Sequence, residues 1–257
     1  VIPFRDDNPT RTFPIVVVAL IAANILVQIY VWGLPPERQL IFQSTYGAIP
    51  SVLTGQQSLE SAIEINLAQA ARATPAQVRE YLIQHGIQVA PLHPLWLAIF
   101  TSMFLHGGLL HLGGNMLYLW IFGNNIEDTL GHFRFLLFYL FCGFAAACAQ
   151  ILMSLGSSVP MIGASGAIAG VLGAYYVLFP GARVYSLLIL FVFITVVALP
   201  ASLVLLLWFL LQVLSSLQPG GAGGVAVFAH IGGFLVGLAL IRAVRPRRRP
   251  VRVTWWE

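Results

Sequence analysis

The sequence predicts an all-α membrane protein: six transmembrane helices, with a long non-cytoplasmic loop between the first two. Three observations carry this. Of 257 residues, 58% are hydrophobic and only 9% charged, where a soluble domain carries about 25% charged residues. The apolar residues gather in runs close to the length that crosses a bilayer. The charge gathers at the ends: Arg5 and Arg11 precede the first run, and the basic stretch Arg242–Arg252 begins at the end of the last. By the positive-inside rule both termini are cytoplasmic, which requires an even number of crossings.

Taken in order, residues 1–12 are a polar cytoplasmic segment. Phe13–Trp32 is the first span. It is long and lacks a small-residue cleavage site, so it reads as an anchor and not as a cleavable signal. Residues 34–107 form a mostly polar outer loop with amphipathic helices at about 58–86. Leu59, Ile63 and Leu67 repeat every four residues, the spacing of one helix face. Thr74-Pro75-Ala76-Gln77 reads as a capping box with Pro at the first helical position, and Gly86 stops that helix after His85. Trp96 and Phe100 fit a segment dipping into the interface.

The later runs are Leu109–Ile126, Phe133–Leu155, Ser165–Phe179, Ala201–Leu217 and Val225–Ala243. Val184–Leu199 is apolar as well and would raise the count to seven. Even parity makes it a cytoplasmic-side interfacial or re-entrant segment, or an extension of span five. The membrane domain then covers residues 13–243, and residues 244–257 form a basic cytoplasmic tail. That tail follows directly on an apolar run, so it reads as a topology signal and a contact for anionic lipid, not for nucleic acid. Cys142 and Cys148 lie six apart in one run and cannot bridge to each other; they read as small core residues.

Ionisable groups inside a membrane are costly and mark function. Here Asp and Glu occur only at 6, 7, 37, 60, 64, 80, 127, 128 and 257, none in mid-span. This argues against a proton- or sodium-coupled transporter and against an intramembrane aspartyl protease. No His-Glu-x-x-His string occurs, which excludes that type of zinc protease. The polar groups left are His106, His111, Asn115, Ser165 and His230. A zinc site from the three histidines lacks a ligating carboxylate or a suitable Cys nearby, so neither metal nor cofactor is expected.

Parity brings the rest together. With six crossings, spans two, four and six place His111, Asn115, Ser165 and His230 at similar depth in the outer half of the bilayer. His111 and Asn115, four apart, share a helix face. Met161–Gly170 sets Ser165 among glycines and alanines. Gly163 and Gly166 leave room for a substrate carbonyl. Gly166 and Gly170, with Gly232, Gly233 and Gly237 on span six, are also a helix-packing surface. That packing would bring His230 within hydrogen-bond reach of Ser165, as a nucleophile and its base require.

Four stretches, in this order, resemble the rhomboid intramembrane serine proteases: Phe104-Leu105-His106-Gly107-Gly108, His111-x-x-x-Asn115, Gly163-Ala164-Ser165-Gly166 and Ala229-His230-Ile231-Gly232-Gly233. The resemblance covers roughly residues 94–243. Gly123-Asn124-Asn125-Ile126-Glu127 is similar to the family's Gly-x-x-x-Glu, which has a structural role. The resemblance implies a rhomboid-like bundle with Ser165 as nucleophile and His230 as base. It implies an oxyanion hole of His111, Asn115 and the Ser165 backbone N–H, with His106 in a structural role near the mouth.

The implied reaction hydrolyses peptide bonds in or beside substrate transmembrane helices, in a bacterial-type plasma membrane, with membrane lipid as the surrounding partner. Two positions depart from the family. Leu95-Trp96-Leu97-Ala98 lacks an Arg that often follows the Trp, and Ala169 stands where many members carry an aromatic that stacks on the base. Phe228, Tyr175 or Tyr176 could brace His230 instead. Pro219–Gly224 reads equally as a lid or as a simple flexible connection. A non-catalytic relative that binds membrane helices for quality control or trafficking is the rival reading; the presence of both Ser165 and His230 argues against it.

Overall fold

The computed structural model describes residues 2–87, 89, 93–190, 193–217 and 226–245. The Pro219–Gly224 loop and the tail beyond Arg245 lie outside the described residues. The chain opens with strand β1 (Ile2–Asp6) and helix α1 (Ile15–Trp32). Four helices follow α1: α2 (Pro36–Tyr46), the single turn α3 (Pro50–Leu53), α4 (Leu59–Ala71) and α5 (Pro75–Gln84). Short helical turns, including α6 (Ala98–Thr101), cover Leu95–Phe104. The chain then bends by 83° into a helix over Leu109–Leu130. That helix comprises α7 (Leu109–Tyr118), a π-helical turn (Leu119–Gly123) and α8 (Asn124–Leu130). The remaining elements are α9 (His132–Met153), α10 (Ser165–Leu178), strands β2 (Arg183–Leu190) and β3 (Phe193–Pro200), α11 (Ala201–Ser216) and α12 (Val227–Val244).

Among the described residues α1, α9 and α12 are long and apolar enough to cross a membrane, and the bent pair Leu95–Phe104 and Leu109–Leu130 makes a fourth span if counted as one. The chain is therefore a multi-pass membrane protein built on a helical bundle. The apolar helices α10 and α11 are shorter, at 14 and 16 residues.

The centre of the bundle is α10, every residue of which is buried from Gly166 to Tyr175. Its seam with α12 exists because both helices lack side chains there. A methyl group at Gly233 would land on the Gly166 carbonyl, one at Gly237 on the Gly170 carbonyl, and one at Gly173 on the Phe234 carbonyl. Such backbone contact replaces the hydrophobic drive that lipid does not supply between helices. On its other side α10 meets α9, where Gly170 faces Cys142 and Gly166 faces Ala146. Cys142 is thus a small core residue, and both cysteines are free thiols.

Glu127 explains the Gly-x-x-x-Glu stretch. It is fully buried, and its two carboxylate oxygens accept the backbone N–H groups of Val16 at 2.9 Å and Val17 at 2.8 Å. A carboxylate at a helix N-terminus satisfies orphan donors and meets the positive end of the helix dipole. Gly123, one turn earlier, lets the helix lie against Val17.

One stretch is corrected. Within Val184–Leu199, read as an interfacial or re-entrant segment or as an extension of span five, the described residues form two antiparallel paired strands, β2 and β3, and α11 begins only after Pro200. The β-branched residues Val184, Ile194, Thr195, Val196 and Val197 favour a strand. The run is nearly all apolar, so it shows no period-two alternation to tell it from a helix. The polar segment 1–12 also holds a strand: β1 pairs antiparallel with β2, giving the order β1-β2-β3. Asp6 fastens this sheet to the bundle, its Oδ2 accepting from Tyr175 Oη on α10 at 2.6 Å and from Asn125 Nδ2 on α8 at 2.9 Å.

The four helices α2 to α5 have a small core of their own. Ile49, Val52, Leu59, Ile63, Leu67, Val78 and Leu82 pack together. The capping box at Thr74 and Gln77 is present, with Gln77 N–H donating to Thr74 Oγ1 at 3.3 Å and Thr74 N–H to Gln77 Oε1 at 2.9 Å. This helical cap holds the segment that leads to Ser165. Asn66 Nδ2 donates to Ser158 O at 3.0 Å, and Ala48 and Met161 exchange backbone hydrogen bonds of 2.9 and 3.1 Å.

Candidate active site

A cleft of about 1120 Å³ opens at one end of the bundle, and Ser165, His230, His111 and Asn115 all line it. Ser165, His230 and His111 come from the first turns of their helices, and Asn115 from one turn further along α7. Ser165 is the first residue of α10. Gly163, just before it, adopts φ +128°, and its N–H is held by Ser102 O at 2.9 Å. Only glycine takes this conformation readily, and a Cβ there would lie 2.8 Å from His111 Nε2 and 3.5 Å from Ser165 Oγ. The space next to the serine exists because residue 163 is a glycine. As a first-turn residue, Ser165 also has a backbone N–H with no acceptor inside its own helix.

His230 lies in the first turn of α12. Gln150, on α9, seats that helix end: its Oε1 accepts from the N–H groups of Phe228 at 3.0 Å and Ala229 at 3.2 Å. Across the α10–α12 seam, His230 Nε2 stands 2.7 Å from Ser165 Oγ. The other ring nitrogen, Nδ1, stands 2.8 Å from Gln212 Oε1 on α11. Trp208, one turn earlier on α11, places its ring 5.8 Å from the imidazole at 39°. Ala169 is fully buried and offers no ring to the histidine. Tyr175 is engaged with Asp6 and Phe122, and Tyr176 with Phe234. The ring that faces the imidazole comes from α11.

On α7, His111 Nδ1 accepts the Gly107 N–H at 3.3 Å. A ring nitrogen that accepts carries no hydrogen, so the neutral ring bears its hydrogen on Nε2, on the side of Gly163 and Ser165. Asn115 Nδ2 donates one hydrogen to His111 O at 2.9 Å, which leaves its second N–H unused by that bond. His106 is fully buried and sits edge-on to His111 with ring centroids 5.0 Å apart. Its backbone N–H is taken by Gln28 Oε1 at 3.0 Å. His106 packs against His111 and does not itself line the cleft.

The residues that the sequence reading passed over are amides in apolar runs. Gln28, Gln150 and Gln212 each stand in a hydrophobic stretch, the same signal that marks Asn115. Gln150 holds the start of α12, Gln212 the His230 ring and Gln28 the backbone at His106.

A bundle whose glycine seam puts a serine and a histidine in hydrogen-bond contact at one end defines a class of helical membrane protein. The Rhomboid domain family model matches residues 93–247, more than half of the chain, and the chain belongs to that family. It is 34% identical over 145 residues to RHOMBOID-like protein 6, mitochondrial, of Arabidopsis thaliana, covering 55% of this chain and 41% of that one. Over 79 residues it is 43% identical to Rhomboid protease GluP of Bacillus subtilis, covering 31% and 15%. Over 101 residues it is 39% identical to Rhomboid protein 1, mitochondrial, of Saccharomyces cerevisiae, covering 38% and 28%. The similarity thus spans less than half the length of each of these relatives.

Proposed function

We propose that the chain is an intramembrane serine protease that cleaves peptide bonds in or beside the transmembrane helices of other membrane proteins. The observation that carries this reading is the 2.7 Å contact between His230 Nε2 and Ser165 Oγ. Ser165 Oγ attacks the scissile carbonyl as His230 Nε2 takes its proton. The tetrahedral oxyanion accepts hydrogen bonds from His111 Nε2–H, from the free N–H of Asn115 and from the Ser165 backbone N–H. Collapse to the acyl-enzyme expels the amine, which takes the proton from His230. Water then attacks the ester with His230 again as base, and Ser165 is released with a carboxylate product. Each side-chain donor is worth about 2.7–4 kcal/mol if it behaves like a known oxyanion-hole group.

The same reading places six crossings with both termini in the cytoplasm and the cleft in the outer half of the bilayer. The shortness of α10 supports it. Fourteen residues make a helix about 21 Å long, against a hydrocarbon core of about 30 Å, so Ser165 at its start lies below the membrane surface. Water reaches it through the cleft. A substrate helix must unwind to present its backbone, so helix-breaking or small residues near its outer end are favoured.

The test is cleavage, in liposomes, of a single-span peptide with a Gly-Pro break near its outer end. Wild-type protein is expected to cut it, and Ser165→Ala and His230→Ala are expected not to. Equal cutting by all three would reject the dyad. Reporter fusions within 34–107 and at the C-terminus test the topology, and a cytoplasmic signal from the loop would undo the placement of the site.

A further inference from the structure

The family resemblance supplies no brace for His230, because Ala169 stands in its place. We infer that Gln212 of α11 is a positioning residue that fixes both the tautomer and the orientation of the His230 ring; the inference rests on the proteolytic reading of Ser165 and His230. An amide oxygen only accepts hydrogen bonds. With Gln212 Oε1 at 2.8 Å, His230 Nδ1 must therefore carry the hydrogen. Nε2 is then left bare, and it is the nitrogen that faces Ser165 Oγ at 2.7 Å. Only this tautomer can take the serine proton.

The amide is itself oriented. Its Nε2 points back to Trp208 O at 3.5 Å, which turns Oε1 toward the imidazole. A flipped amide would present N–H to Nδ1 and select the wrong tautomer. Trp208 covers the ring from the same helix face, four residues earlier. Gln212 and Trp208 together thus do what an aromatic four residues after the nucleophile does by stacking.

The place of these two residues is informative. The buried residues of α11 are Ala201 and Leu205, both toward its start, and Leu206, Leu207, Leu210, Leu211 and Leu214 are exposed. In a run that otherwise meets lipid, an amide is costly unless it is paired. Gln212 is paired, and its partner is the ring of the proposed base.

The experiment compares full-length wild type with Gln212→Leu and Gln212→Glu in detergent. Leucine keeps the volume and removes the acceptor; glutamate keeps an acceptor oxygen. One readout is the rate of Ser165 labelling by a fluorophosphonate. It is expected to fall about 10- to 100-fold in Gln212→Leu, as befits loss of a hydrogen bond to a group that becomes charged, and to return to within about threefold of wild type in Gln212→Glu. The other readout is the 15N spectrum of histidine-labelled protein, with His230 assigned by its loss in His230→Gln. The Nδ1–H tautomer is expected in wild type and an Nε2–H or mixed population in Gln212→Leu.

Wild-type labelling with an unchanged rate and an unchanged His230 spectrum in Gln212→Leu would overturn this inference and leave the protease reading intact. Absence of labelling in wild type would overturn the reading. The spectrum then decides whether Gln212 sets the tautomer.

Discussion

Asn115 is the residue at which the proposed chemistry is most easily graded. Its side chain borders the cleft with one N–H free, and it lies four residues from His111 on the same helix face. Asn115→Ala is predicted to lower kcat about 10²–10³-fold, with thermal unfolding changed little, measured by peptide cleavage and a melting curve in the same detergent. Gly163 carries a different burden. At φ +128° with His111 Nε2 2.8 Å from any Cβ, Gly163→Ala strains the backbone and pushes the histidine away. Strain of this kind costs of order 1–3 kcal/mol, and a loss of labelling larger than the loss of stability is predicted. At this scale the sequence singles out the residues that come together, while their roles stay with the proposal. Ser165, His230, His111 and Asn115 were read from residue type and parity, and the structure lines one cleft with all four. Gln212 is not legible in this way, because an amide in an apolar run carries the same signal as a residue that only glues helices. In hydrocarbon an amide has the same need for a partner, and here that partner is the site.

Among the elements, the α10–α12 seam does the delivering. Because a methyl at Gly237 lands on the Gly170 carbonyl, Gly237→Ala must part the two helices. It is predicted to cost about 1–3 kcal/mol, as overpacking does, and to slow labelling by widening the Ser165–His230 distance two turns away. A melting curve and a labelling time course check both halves. The helical cap acts on α10 through the segment that leads into it. Asn66→Ala removes the hydrogen bond to Ser158 O on the segment before Ser165, a loss of about 1 kcal/mol. Limited proteolysis of residues 154–162 should speed up in that variant. The six apolar helices were legible to within a few residues, because each is a long apolar run with a sharp end. The β2–β3 pair was not: the unbroken apolar stretch Val184–Leu199 lacks the alternation of a half-buried strand, and at sixteen residues it has the length of a helix rather than of one strand. The strand at 2–6 is five residues long, and only its pairing with β2 defines it.

Seen whole, the molecule is a helical bundle with a helical cap against the segment before Ser165 and a three-stranded sheet tied to Tyr175 of α10. Asp6 links that sheet to α10, the helix that starts with Ser165. Burial pushes its carboxyl above the usual aspartate range, with the charge of Asp7 adding to the rise, while the hydrogen bonds from Tyr175 and Asn125 act the other way. A raised folded-state value means that the native fold holds this proton more tightly than the unfolded chain does. The stabilisation is fully present below the unfolded value and is lost as pH rises through the folded one. Asp6→Asn keeps an oxygen to accept from Tyr175 and cannot ionise. Its melting temperature at neutral pH is predicted to equal or exceed that of wild type, with a flatter pH dependence on the acid side. Asp6→Ala, which leaves Tyr175 and Asn125 without this partner, is predicted to be less stable at every pH.

The account turns on Ser165 being a nucleophile activated by His230 across the seam. The most direct measurement is the site of fluorophosphonate attachment in the purified full-length protein, read by peptide mass. The account predicts a single adduct on Ser165, absent in Ser165→Ala and at least about 10²-fold slower in His230→Ala. An adduct elsewhere, or one that forms on Ser165 at the same rate without His230, would contradict it.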